Sequence, residues 1–333
     1  MHMADALIAP AVAATMYAAS GVTTAYSIKK VRLENDPKKI PTMGIMSAFV
    51  FAAQMINFTI PGTGSSGHLC GGLLLSILLG PYAGFLSMVS VLLIQCLLFA
   101  DGGLLALGAN IWNMAFYGCF VGYLLIYRPL TGKTINKKSI MIASVLGSVI
   151  SLQLGAFSVT LETLFSGITA LSFGQFLALM QPIHLAIGTV EGLITGAVVI
   201  FLYNTRPELI QKGAPEGSYS FKKVMVIMGI AVLLIGGGLS LAASQHPDGL
   251  EWSIEKITGN TELAAKDTYS DAVQSAEKIQ EKTAILPDYS FPDSNSPVGT
   301  SFSGIIGAGI VAVLTIGCGV LFKMFRRKDS TAE

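Results

Sequence analysis

Ionised side chains are scarce in this chain, and they avoid long stretches of it. Nine apolar segments, 8–28, 41–60, 69–80, 82–100, 104–127, 139–165, 174–203, 223–243 and 303–323, hold between them only Glu162, Glu191 and the terminal lysines Lys223 and Lys323. A hydrocarbon core about 30 Å thick takes roughly 20 apolar residues per helical crossing. Of 333 residues, 12% are charged and 52% hydrophobic, against about 25% charged in an ordinary soluble domain. Mean hydropathy is +0.63. The expected fold is therefore an all-α polytopic membrane protein.

Gly80-Pro81 divides the third segment from the fourth. Proline has no backbone N–H to give a helix interior, so two helices joined by a tight turn are expected there. That makes a bundle of seven transmembrane helices over 1–205, a cytoplasmic linker at 206–222, and a two-helix module over 223–333 around an outer loop, 244–302. With the N-terminus outside, seventeen of the twenty-one lysines and arginines fall on the inner segments 29–40, 128–138, 204–223 and 323–333. The other four lie in the long outer loop, which such a bias does not govern. A multi-pass cell-membrane protein with its N-terminus outside and C-terminus cytoplasmic is expected. The first residues lack the basic start of a signal peptide and are expected to be kept.

The outer loop holds ten acidic residues against four lysines, which would concentrate cations near it. Leu250 to Lys282 is expected to be helical and Pro287 to Gly299 to be loop.

Several functions are excluded. No basic tract suits nucleic acid. Cys70, Cys96, Cys119 and Cys318 follow no zinc or disulfide spacing and read as small buried hydrophobes. Leu130-Thr-Gly-Lys133-Thr134 resembles the end of a phosphate loop, but Tyr127 stands where that loop needs glycine and an apolar helix precedes it. Without such a loop or any hydrolase motif, the chain is expected not to be an enzyme and to carry no cofactor.

Met1, His2 and His68 can do metal chemistry. A free amine, the next amide nitrogen and the imidazole of residue 2 can close adjoining chelate rings on one ion, and His68 can add a fourth nitrogen. Four nitrogens in a plane suit Ni(II) or Cu(II), with Co(II) close behind; zinc prefers a tetrahedron. His68 ends Pro61-Gly-Thr-Gly-Ser-Ser-Gly-His68, a run able to fold inward on the same outer side as Met1. On residue types alone a plainer reading competes, in which residue 2 is incidental and His68 caps the third helix.

Polar residues inside the spans need partners. Among them, Asn110 and Asn113 share one helix face, as do His184 and Glu191. They can support the metal site, line an ion path or act as interhelical glue. Ala14 and Ala18 permit close helix approach, with packing inside the bundle expected. Two other functions stand beside metal capture: an ion-coupled secondary transporter using Glu162, His184 and Glu191, and an intramembrane enzyme.

Five stretches, in order, then fit one family: Met1-His-Met-Ala-Asp5, Pro61 to Leu69, Leu79-Gly-Pro81, Phe99-Ala-Asp-Gly-Gly-Leu-Leu-Ala-Leu-Gly-Ala-Asn110, and His184 to Thr195. Residues 1–205 resemble the CbiM/NikM family, the metal-specific membrane subunits of energy-coupling-factor importers. The family commonly begins Met-His-Ile-Pro-Asp-Gly, whereas this chain has Met3, Ala4 and Ala6; Met1, His2 and Asp5 are retained. His246-Pro-Asp-Gly-Leu-Glu-Trp252 with its flanking helices resembles the PDGLE domain, counterpart of the small CbiN/NikN subunit.

The resemblance implies a site made by the Met1 amine, the His2 amide and ring nitrogens, and His68; Asp5, Asn110, Asn113, His184 and Glu191 are the candidates to support it. It implies Ni2+ as cargo, with Co2+ the alternative. It also implies partners, a NikQ/CbiQ-like transmembrane coupling subunit and NikO/CbiO-like ATPases.

Overall fold

The computed structural model describes residues 1–31, 37–132, 135–211, 214–265, 270–291 and 298–329, with side chains described as far as residue 324. Lys133 and Thr134, the end of the phosphate-loop look-alike, lie outside them.

The chain is mainly helical. Helices α1 (Pro10–Lys30), α2 (Lys39–Gln54), α3 (Gly72–Leu79) and α4 (Pro81–Phe99) come first. Next are the continuous helix α5 (Leu107–Thr131), then α6 (Lys137–Phe165) and α7 (Phe173–Thr205). The tail adds α8 (Phe221–Gly237), α9 (Gly249–Thr258), α10 (Ser270–Thr283) and α11 (Val298–Asp329). Between α2 and α3 stands a small antiparallel hairpin, β1 (Phe58–Ile60) with β2 (Ser65–Gly67), paired Phe58 to Gly67 and Ile60 to Ser65.

Six of the nine expected crossings are single helices long and apolar enough to span a membrane: Pro81–Phe99, Leu107–Thr131, Lys137–Phe165, Phe173–Thr205, Phe221–Ala242 and Val298–Met324. The other three differ for separate reasons. Helix α1 has 21 residues, but its Ser, Thr and Tyr content keeps it outside that group. Helix α2 has 16 residues, about 24 Å at 1.5 Å per residue. Helix α3 has only 8, about 12 Å, and the buried chain from Ser65 to Gly71 leads into it without helix. The turn after α3 is where Gly80-Pro81 placed it: Gly80 has φ +82°, and Pro81 opens α4.

The tail helices pack on each other and on the bundle. A Cβ on Gly304 would lie 2.2 Å from the Gly236 carbonyl oxygen, so α8 and α11 touch backbone to backbone there. A Cβ on Gly44 of α2 would lie 2.5 Å from the Ile316 side chain of α11. Ala14 and Ala18, expected inside, are exposed. Helix α1 instead approaches α5 through Tyr17, whose backbone lies against Gly108, and through Ser20, which donates to the Gly108 carbonyl at 2.7 Å.

Leu250 to Lys282 forms two helices rather than one, because Gly259 turns left-handed at φ +83° and ends the first. After it, Pro287–Tyr289 makes one short turn and α11 starts at Val298; residues 292–297 of the expected loop lie outside the described residues. Three of the four cysteines are buried and Cys318 is partly exposed, all with free thiols.

Candidate metal site

The chain start folds back into the bundle and is held there by backbone geometry. Asn110 of α5 grips Met3 on both sides: the Met3 N–H donates to Asn110 Oδ1 at 2.8 Å, and Asn110 Nδ2 donates to the Met3 carbonyl at 3.1 Å. Gly103 N–H also donates to that carbonyl, at 2.9 Å. Asp5 accepts from the Ala106 N–H at 2.9 Å. These bonds bury Met1 and Met3.

Met1 therefore meets the segment before α3. Its amine lies 2.9 Å from His68 Nε2. His68 Nδ1 lies 3.1 Å from the Leu69 carbonyl, an oxygen that can only accept, so Nδ1 carries the proton and Nε2 offers a bare lone pair. The His2 ring stacks on the His68 ring, with centroids 5.2 Å apart and planes 20° from parallel. His2 Nδ1 faces Asp101 Oδ1 at 3.2 Å and Nε2 faces Gln95 Oε1 at 3.3 Å. Burial lowers the His2 pKa to about 4 against the pull of Asp101, so the ring is neutral near pH 7. A neutral ring has one N–H and can satisfy only one of those two oxygens.

The hydrogen-bond chain continues inward. Gln95 Nε2 donates to Gln54 Oε1 at 2.9 Å, and Gln54 Nε2 donates to the Cys70 carbonyl at 2.8 Å. His2 and the His68 segment are thereby tied through two glutamines.

The non-helical lead into α3 leaves backbone amides that lipid could not satisfy. Glu191 accepts from two of them, Cys70 N–H at 2.9 Å and Gly71 N–H at 3.1 Å. So Glu191 touches no candidate ligand atom and instead fixes the chain two residues past His68. His68 itself is not a cap: α3 begins at Gly72, behind Gly71.

The other supporting candidates divide. His184 donates from Nδ1 to the Met180 carbonyl at 2.8 Å. Its Nε2 has no partner, and the ring lines a cavity of about 10 Å³ with Met1, His68 and Asp248. Asn113 donates to Glu162 Oε2 at 2.7 Å and to the Met3 sulfur, not to Met1, His2 or His68. Asn110 and Asp5 act on the chain start rather than on the nitrogens.

Asp248 of the Pro-Asp-Gly turn is the residue that sequence reasoning did not place here. The turn leans on the hairpin: Ser66 N–H donates to the Pro247 carbonyl at 2.8 Å and Ser66 Oγ to the His246 carbonyl at 2.8 Å. Asp248 caps α9, its Oδ1 accepting from Leu250 and Glu251 N–H at 2.8 and 2.9 Å, while Glu251 reaches back to the Asp248 N–H. Its other oxygen lies 2.5 Å from the Met1 amine and 3.8 Å from His68 Nε2.

Burial works against both charges, yet they stabilise each other. The Met1 ammonium is raised above its usual value by Asp248, and the Asp248 carboxyl is held well below its own by that ammonium. An aspartate at the head of a capping box, S/T/D/N with Glu three residues on, was the readable part of this signal; its reach to Met1 was not. The Tyr289 hydroxyl donates to Asp101 Oδ2 at 2.5 Å, so a second residue of the tail touches the group that faces His2.

Among the described residues no three His, Cys, Asp or Glu side chains form a metal-holding group. Any ion caught here by two histidines needs the chain's own amine and amide nitrogens.

The model of the family described as CbiM, cobalt uptake substrate-specific transmembrane region, matches residues 2–209, and the PDGLE domain model matches residues 222–324. The putative fused nickel transport protein NikMN of Archaeoglobus fulgidus is 35% identical over 94% of this chain and 96% of its own. The probable fused nickel transport protein LarMN of Lactiplantibacillus plantarum is 31% identical over 95% and 97%. A crystal structure of a truncated transition metal transporter is 36% identical and covers 61% of this chain and 98% of its own, with a TM-score of 0.53.

Proposed function

The chain belongs to the CbiM family and carries a PDGLE domain, and from that premise we propose that it is the substrate-capture component of an ATP-driven energy-coupling-factor importer for nickel, with cobalt the alternative cargo. The observation that carries this reading is the 2.9 Å approach of the Met1 amine to a bare His68 Nε2, with the His2 ring stacked beside it.

The cargo would be held by the Met1 amine, the His2 amide nitrogen, His2 Nδ1 and His68 Nε2. Nitrogen donors of this kind favour Ni(II) over zinc, and the fused relatives are named as nickel transport proteins. Binding releases one proton from the amine and one from the His2 amide to solvent, so affinity falls in acid. The amine also leaves Asp248, and His2 Nδ1 leaves Asp101. Its Nε2–H can then donate to Gln95, which fixes the tautomer from behind the ion.

The amine faces outward in this reading, residues 1–205 form the capture domain, and 223–333 form the module that covers it. Transport then requires a NikQ/CbiQ-like coupling subunit and NikO/CbiO-like ATPases. The alternative of a proton-coupled carrier is weakened at Glu191, whose two oxygens are engaged by backbone amides.

Nickel uptake into vesicles separates the two. Uptake that appears only with the coupling and ATPase subunits and ATP is expected. Uptake by the chain alone, driven by a proton gradient, would overturn the proposal.

A further inference from the structure

Helix α4 ends in carbonyls that its own bundle does not fully satisfy. It stops at Phe99, and Ala100 follows in the left-handed region at φ +54°, which alanine adopts only at a cost. The last carbonyls of a helix have no partner inside it. Here the tail supplies donors. Ile285 and Leu286 N–H both reach the Leu98 carbonyl, at 3.0 and 3.3 Å, and Gln280 Nε2 donates to the Cys96 carbonyl at 3.0 Å.

Gln280 does more than cap. Its Nε2 also donates to the Gly102 carbonyl at 2.9 Å, and its Oε1 accepts from the Leu104 N–H at 3.2 Å. The side chain is only 7% exposed and spends its whole amide on backbone. It lies on the buried face of α10 with Val273 and Ala276, where an amphipathic helix ordinarily carries an apolar group. The unpaired backbone of residues 96–104 accounts for a glutamine at that place.

The Gly102 carbonyl and the Leu104 N–H flank Gly103, whose own N–H donates to the Met3 carbonyl at 2.9 Å. This loop has no slack against the chain start. A Cβ on Gly103 would overlap the Asp5 carboxylate, and one on Gly102 would lie 2.8 Å from Asn110 Nδ2 and 3.3 Å from His2 Cβ. Met3 is thus held twice, by Asn110 from within the bundle and by a loop that the tail clamps.

We propose that Gln280 is a positioning residue for the metal site. By clamping Gly102 and Leu104 it sets Gly103, and through Met3 it sets the register of the Met1 and His2 nitrogens against His68. It acts through backbone and not on the ion. The consequence for nickel rests on the proposed function; the placing of Met3 does not.

The test uses the full chain in detergent. Gln280→Met keeps the length and packing of the side chain and removes its three backbone bonds. Gln280→Glu keeps the oxygen for Leu104 and, protonated beside two carbonyls, one donor. Without metal, deuterium exchange at the Gly103 amide, whose own partner is Met3, is expected to quicken by about tenfold or more in Gln280→Met and by less in Gln280→Glu. Nickel dissociation should quicken by about tenfold in the first, the lower end found for groups that orient a ligand, and again by less in the second. Trp252→Phe breaks a different bond between tail and bundle, from the indole to the Thr63 carbonyl, and should leave Gly103 exchange as it was. Unchanged exchange in Gln280→Met, faster exchange with unchanged nickel dissociation, or the same quickening in Trp252→Phe would each overturn the proposal. If Gln280→Met does not fold, the same two measurements on Gln280→Glu decide. Failure of the nickel reading has its own signature, unaltered Ni2+ affinity in His2→Ala, and leaves the metal-free exchange result standing.

Discussion

The two parts of the chain bring opposite chemistry to Met1. The first part supplies nitrogens: an amine, a neutral His2 ring and a His68 lone pair, each fixed by bonds to the bundle's backbone or to buried amides. The tail module supplies a carboxylate, Asp248, seated on the amine itself. Nitrogens in a fixed arrangement select a metal, whereas carboxylates attract any cation. In the proposed reading the first segment's nitrogens hold the ion and the tail's Asp248 holds the amine in its protonated form, so the two segments meet at one ammonium.

Substitutions on the two sides should then differ in kind. The largest effect is expected from His2→Ala. It removes a ligand, so nickel affinity should fall by at least about a hundredfold, the upper range found for mere supporting groups. Calorimetric titration measures it, and a change of only a few fold would move the selective site elsewhere.

Next comes Glu191→Gln. One side-chain oxygen must replace two for Cys70 and Gly71, leaving an N–H unmet at a cost of about 1–3 kcal/mol. Nickel affinity should drop about tenfold with a lowered Tm. A lowered Tm with native affinity would show that Glu191 supports the bundle and not His68.

Asp248→Asn should act through pH. The amine is protonated below its raised pKa, and nickel must displace that proton. Affinity therefore climbs with pH, steeply while both the amine and the His2 amide must give up a proton and less steeply above the raised value, where only the amide proton remains. Asparagine removes the charge that does the raising, so the change of slope should come at lower pH. Near pH 7 affinity should increase, by about tenfold for each unit the amine moves. If affinity instead falls at every pH, Asp248 is a ligand and the division between the two segments fails.

The smallest effect is expected from Tyr289→Phe. It removes one hydrogen bond to Asp101 and should change nickel affinity by no more than about threefold, since such a bond is worth roughly 0.5–1.5 kcal/mol. A larger loss would mean that the tail module positions His2 as well as covering it.

The membrane class, the Gly80-Pro81 turn and the meeting of Met1 with the Pro61–His68 segment were legible because each follows from local rules: apolar length, a missing N–H, and two segments on one side of a bilayer. The third crossing was legible as short, but the start of its helix was not. A count of apolar residues cannot tell 8 helical residues from a longer run when Gly71 and buried extended chain precede them. The role of Glu191 followed from that break: its face was readable from the seven-residue spacing to His184, but its partners were backbone amides that no sequence pattern marks. Asp248 was hidden for a third reason. It lies 247 residues from Met1, and one acid among ten in the outer loop carries no sign of which one turns inward.

The most direct measurement concerns the amine. Adding one glycine before Met1 moves the terminal nitrogen by about 3.8 Å and leaves His2, His68 and Asp248 in place. Calorimetric titration with Ni2+ should show affinity reduced by at least about a hundredfold, with the helical content intact by circular dichroism. Equal affinity in the folded, extended chain would contradict a site built on the chain's own first nitrogen.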